Sequence, residues 1–93
     1  MKDLNLNNIQ AAILEAGLRV GWEMDVVSKG HIIATIFSNE HVAVVDIFYT
    51  TESYDIVYKD SKNMDYDGIN IHNRYNRWIL KLDKDIRRMF GLK

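Results

Sequence analysis

Histidines, carboxylates, serines and cations are the side chains of this 93-residue chain that could do chemistry. Their spacing decides which chemistry is open to them. His31, His41 and His72 would bind a metal ion if they converged. Two of them are predicted at opposite ends of one hairpin, roughly 20 Å apart at the usual strand rise, and His72 falls at the start of a helix. No shared metal site is expected. Asn63, Asp65, Asp67 and Gly68 follow the spacing that opens a calcium loop, but the twelfth place holds Arg74 where a bidentate Glu is required. The expectation there is a polar turn held by Asx hydrogen bonds. Ser28, Ser38, Ser53 and Ser61 fall at predicted turns and none stands in a nucleophile elbow. Asp65 and Asp67 are spaced for acid–base work, yet nothing predicts a pocket around them. The chain has no cysteine, which excludes a thiol nucleophile and any cysteine-ligated metal or cluster. No catalytic residue, cofactor or metal ligand is expected, and the chain reads as a non-enzymatic domain.

Charge points to surfaces instead. The formal net charge is −1, so no global field steers the chain toward nucleic acid or acidic lipid. The distribution is uneven. Residues 72–93 hold Arg74, Arg77, Lys81, Lys84, Arg87, Arg88 and Lys93 against Asp83 and Asp85, while residues 46–68 hold six acids against Lys59 and Lys62. A basic helix with aromatics is a candidate contact for RNA or anionic lipid. Because Tyr75 and Trp78 lie on the apolar stripe of that helix, they are assigned to the core, and no nucleic-acid partner is expected.

The elements that must position these groups follow from periodicity. Leu6, Ile9, Ala12, Ile13 and Ala16 recur at helical spacing and predict a helix over about 6–18, with Asn5 or Asn7 as cap and Gly17 or Gly21 as stop. The period then changes to 2, with strands expected at about 20–27, 31–37, 41–49 and 54–60. Turns fall at Ser28–Gly30, Ser38–Glu40 and Thr50–Ser53, and three tight turns in succession make an antiparallel meander. Residues 60–71 read as a loop. Tyr75, Trp78, Ile79, Leu82, Ile86, Met89 and Phe90 then mark an amphipathic helix over about 73–90. The expected architecture is a single α+β domain, 1–93, of order α-β-β-β-β-α, with a four-stranded antiparallel meander and both helices on one face.

Register decides what each sheet face carries. The turns pair Val26 with Ile32, Met24 with Ala34, Trp22 with Ile36, Ile36 with Ala43, Ile32 with Ile47 and Tyr49 with Tyr54. One face then holds Trp22, Met24, Val26, Ile32, Ala34, Ile36, Ala43, Val45, Ile47, Tyr49, Tyr54, Ile56 and Tyr58. It is apolar throughout, with small residues at its centre where helices can lie close. The other holds Ile33, Phe37, Val42, Val44, Phe48 and Val57, with Thr35 among them, and is framed by Glu23, Asp25, Asp46, Asp55 and Lys59. A solvated face normally alternates to polar, so an apolar middle there suggests an interface for a protein partner or a second copy. Ile33, Phe37, Val44 and Phe48 would be its anchors.

A longer constellation spans roughly residues 10–88. Gly21-Trp22 is followed by Ala43, Val45, Ile47 and Tyr49, then Tyr54, Ile56, Tyr58, Ser61, Asn63 and Tyr66, then Ile71, His72, Tyr75, Asn76 and Trp78. This pattern resembles a family of small uncharacterised bacterial envelope proteins, made as lipoproteins with an N-terminal lipobox signal. The resemblance implies an envelope or periplasmic setting and supplies no activity. This chain has no lipobox cysteine, and Met1 to Gln10 hold no signal-type apolar stretch, so a cytoplasmic setting is expected if the chain is full length. Any membrane attachment would require a lipid anchor that the chain does not carry. The shared polar residues have two readings: they pin the loop to the last helix, or Tyr58, Ser61, Asn63, Tyr66, His72 and Asn76 line a small polar or anionic ligand site.

Overall fold

The computed structural model describes residues 5–38, 41–62 and 73–90. Helix α1 (Leu6–Arg19) is followed by strands β1 (Glu23–Ser28), β2 (His31–Ser38), β3 (His41–Tyr49) and β4 (Tyr54–Lys62), and helix α2 (Asn73–Met89) closes the fold. The strands form one antiparallel sheet in the order β1-β2-β3-β4, so each tight turn joins spatial neighbours as the meander requires. Among the described residues no helix is long and apolar enough to cross a membrane.

Asn5 caps α1, its side-chain oxygen accepting from the Asn8 backbone N–H at 2.9 Å. The helix stops at Arg19, and Gly21 takes φ +94°, a left-handed conformation that favours glycine. Gly17 is therefore not the stop. It is buried inside the helix where β1 crosses, and a Cβ added there would lie 2.3 Å from the Met24 sulfur.

Registers for Met24↔Ala34, Val26↔Ile32, Ile36↔Ala43, Ile32↔Ile47 and Tyr49↔Tyr54 are as the turns predict. Trp22 lies just outside β1 and is still buried. The core combines Ile9, Ile13 and Ala16 of α1 with Leu82 and Ile86 of α2 against Ile32, Ala34, Ala43, Val45 and Ile47. Ala34 and Ala43, at the middle of the sheet, are fully buried beneath the helix-facing core. Tyr49 ties β3 to α1, donating to Gln10 Oε1 at 2.9 Å.

The first turn is shorter than expected, since Ser28 joins β1 and pairs with His31 across a register shift after Val26, leaving Lys29-Gly30 as the turn. Two details of the faces also depart from expectation. Val26 occupies a core-face position yet is 40% exposed, because α1 meets β1 at Gly17 and Met24 and the strand continues past it. The second departure lies in β4, which runs two residues further than predicted and contains a bulge. Val45 pairs with Tyr58 but Val44 pairs with Asp60, leaving Lys59 as the extra residue. Side-chain alternation shifts by one beyond it. Ser61 therefore joins the core face opposite Ala43, whereas Asp60 and Lys62 join the other face opposite Val44 and Val42.

Candidate functional site

Residues paired directly across an antiparallel sheet share a face, and four cross-strand rows therefore define the uncovered side. They run Asp25–Ile33–Asp46–Val57, Glu23–Thr35–Val44–Asp60, Phe37–Val42–Lys62 and His31–Phe48–Asp55. The six residues expected to form an interaction surface, Ile33, Phe37, Val42, Val44, Phe48 and Val57, all lie on it. Both described helices pack on the other side. Phe37, Phe48 and Val57 are 57%, 44% and 45% exposed, while Ile33, Val42 and Val44 between them are half-buried by their neighbours.

Charge frames this surface asymmetrically. Glu23 and Asp25 stand on edge strand β1, Asp55 and Asp60 on edge strand β4. Acids on both edges keep a bare strand edge from pairing with another chain, and they surround the apolar middle with negative potential. One acid is internal. Asp46 accepts a hydrogen bond from His31 Nε2 at 2.6 Å, and the same imidazole stacks on Phe48 with ring centroids 4.5 Å apart and planes 18° from parallel. His31 thus holds both an acid and an aromatic of the surface in fixed positions. Sequence reasoning missed it. Extending the Ile32–Ile47 register by one pair brings His31 opposite Phe48 and diagonal to Asp46, which was the available signal.

The second candidate site is only partly described. Tyr58 and Ser61 are brought together, their hydroxyls 2.9 Å apart, and Tyr75 meets Tyr58 edge-on at 5.8 Å. Asn76 is exposed on the first turns of α2. Asn63, Tyr66 and His72 lie outside the described residues, as do Asp65, Asp67 and Gly68 of the calcium-loop spacing. His31 and His41 sit at opposite ends of the β2–β3 hairpin. Among the described residues no three His, Asp or Glu side chains converge as a metal site.

Two grooves flank α2. One, of about 470 Å³, lies between the Thr50–Ser53 turn and the helix, lined by Tyr54, Ile79, Asp83, Arg87 and Phe90. Three of its polar side chains meet: Tyr54 donates to the Asp83 carboxylate, and Arg87 lies 3.2 Å from it. Burial, reinforced by that hydrogen bond and the Asp83 charge, pushes the Tyr54 hydroxyl up to about 12. The other groove runs along the outer flank of α2 and includes Trp78, Arg77, Lys81 and Lys84. Trp78 packs against the core as its stripe position predicts, but it is half-buried and also walls this groove.

No protein-family model, curated protein or solved structure matches this chain.

Proposed function

We propose that this chain is a non-enzymatic interaction module of the bacterial cell envelope that binds a protein partner through its uncovered sheet face. The single observation that carries the reading is six apolar side chains on one sheet face that no described helix covers, with Phe37 the most exposed of them. Apolar side chains gathered on an exposed face mark interaction sites more often than single scattered ones do. The envelope setting rests on the resemblance of the residue pattern alone.

The acidic frame selects among partners. A second copy applying the same face would bring a rim of Glu23, Asp25, Asp55 and Asp60, relieved only by Lys62, toward another of the same sign, and like charges across an interface are disfavoured. A polypeptide surface with an apolar centre and Lys or Arg flanks fits better.

The test is photo-cross-linking in cells that produce the protein, with a photoreactive residue at Phe37 or Val57 and, as control, at Glu15 on the far side of α1. A discrete adduct from both sheet positions, absent from the control and lost when Phe48→Glu is added, is expected. Equal labelling from all three positions would sink the reading. The variants Phe37→Glu and Phe48→Glu should retain the wild-type fold by circular dichroism; unfolding would place these side chains in a core and refute the assignment of faces.

A further inference from the structure

The outer flank of α2 carries Arg77, Lys81 and Lys84 at positions i, i+4 and i+7, all exposed. With Trp78, Leu80 and Ser38 at the end of β2 they border an open surface groove of about 500 Å³. Neighbouring cations at these spacings have Cβ atoms about 5–6 Å apart and repel one another. No acid relieves them among the described residues. Asp83 engages Arg87, and Asp85 lies against Arg19 and Arg88, so both acids of the helix are committed to cations outside the groove. The remaining lining is Trp78, Leu80 and Ser38. Leu80 is 67% exposed on the lip, and the indole of Trp78 forms a wall anchored in the core. Three cations that pair with no acid among the described residues, beside the half-buried Trp78 ring, form a recognition surface for an anion with a flat apolar body.

We propose that this groove binds a small phosphorylated ligand carrying an aromatic ring, of the nucleoside diphosphate class. Its phosphates would lie on Arg77, Lys81 and Lys84 and its ring against Trp78, with the Ser38 hydroxyl available as a further donor. Arg77 to Lys84 spans about 10 Å along the helix axis at the usual rise, which matches a short phosphate chain with its attached ring. A polynucleotide groove tracks several successive phosphates per domain, about 4 nucleotides at the least, and extends well beyond this span. The net charge of −1 and the acidic sheet face also work against a long polyanion. This site is separate from the sheet face, and the two readings stand or fall independently.

The test is titration of the full chain with ADP, with pyrophosphate and with adenosine, followed by calorimetry and by the shift in thermal midpoint. ADP is expected to bind and raise the midpoint, pyrophosphate to bind about tenfold more weakly, and adenosine not to bind. The double variant Lys81→Gln/Lys84→Gln should weaken ADP by about tenfold or more with an unchanged circular-dichroism spectrum; both side chains are exposed, so folding is not at stake. Trp78→Leu, if folded, should erase the advantage of ADP over pyrophosphate. Absence of binding by both ADP and pyrophosphate would overturn the proposal, as would wild-type affinity in the lysine variant. A single-stranded RNA of about 12 nucleotides that bound over tenfold more tightly than ADP through the same lysines would overturn it in favour of a nucleic-acid site.

Discussion

Phe48 shows how an exposed side chain can still be fixed in position. It is 44% exposed, yet its ring is stacked on His31, which Asp46 orients in turn. A face built from such side chains loses little rotamer freedom when a partner docks. Tyr54 is a second residue whose neighbours set its behaviour. With its hydroxyl pushed from near 10 to about 12, the folded state holds that proton more tightly than the unfolded chain does. The resulting stabilisation is fully present below pH 10 and is lost as pH rises from 10 through about 12. Chemical denaturation across that interval should show a shallower decline in Tyr54→Phe than in wild type; parallel declines would show that Tyr54 does not contribute. Gly17 is set by its neighbour. Alanine would add about 1 kcal/mol of helix propensity, but its Cβ would meet Met24 at 2.3 Å. Gly17→Ala is expected to destabilise by about 1–2 kcal/mol, and Gly17→Ala/Met24→Ala to be no worse than Met24→Ala alone. Additive losses in urea melts would contradict this coupling.

At the scale of elements, α1 and α2 meet around a buried acid. Asp85 is 8% exposed, with Arg19 of α1 3.8 Å from Oδ2 and Arg88 of α2 3.9 Å from Oδ1. Neither arginine donates to Oδ2, which is left without a hydrogen bond among the described residues. A buried carboxylate held only by distant, exposed cations is costly, and an apolar residue of similar size is often better tolerated. Asp85→Leu should therefore stabilise the domain by about 1 kcal/mol, read as a thermal midpoint several degrees higher. A fall in midpoint would mean that the ion pairs outweigh the desolvation of the carboxylate. The bulge in β4 is the other event at this scale. One extra residue, Lys59, puts Asp60 in the acidic frame of the interaction face and frees Ser61 to meet the Tyr58 hydroxyl on the core side.

The whole molecule is divided by charge, with acids around the open sheet face and cations along α2. Association with a basic partner through an apolar patch should combine two salt responses. The association rate should fall as salt rises, because the acidic frame steers the encounter, while the dissociation rate should change little. Surface-based kinetics at low and high salt check this once a partner is in hand, and a dissociation rate that climbed steeply with salt would contradict an apolar anchor. Light scattering across concentration should show the isolated chain as a monomer at low salt, where self-repulsion of the frame is least screened. A salt-independent dimer would instead identify the sheet face as a contact between copies.

Sequence periodicity was enough to establish the element order, the meander and most of the register, because each tight turn leaves few ways to align alternating apolar strands. The six residues of the open face were legible for the same reason: parity along a strand needs no tertiary information. The bulge was not legible, since β4 has no glycine or other local sign that Lys59 should be skipped, and only its packing beside β3 decides the pairing. Exposure of Val26 was equally hidden, because it depends on where a helix elsewhere in the chain ends its crossing. His31 and Trp78 needed three dimensions for a related reason. Each belongs to one element by its spacing, but what it does follows from contacts with groups on other elements: Asp46 and Phe48 for the histidine, the core and the end of β2 for the tryptophan. Local period specifies which way a side chain points, whereas coverage, neighbours and unpaired charge arise only when the elements are brought together.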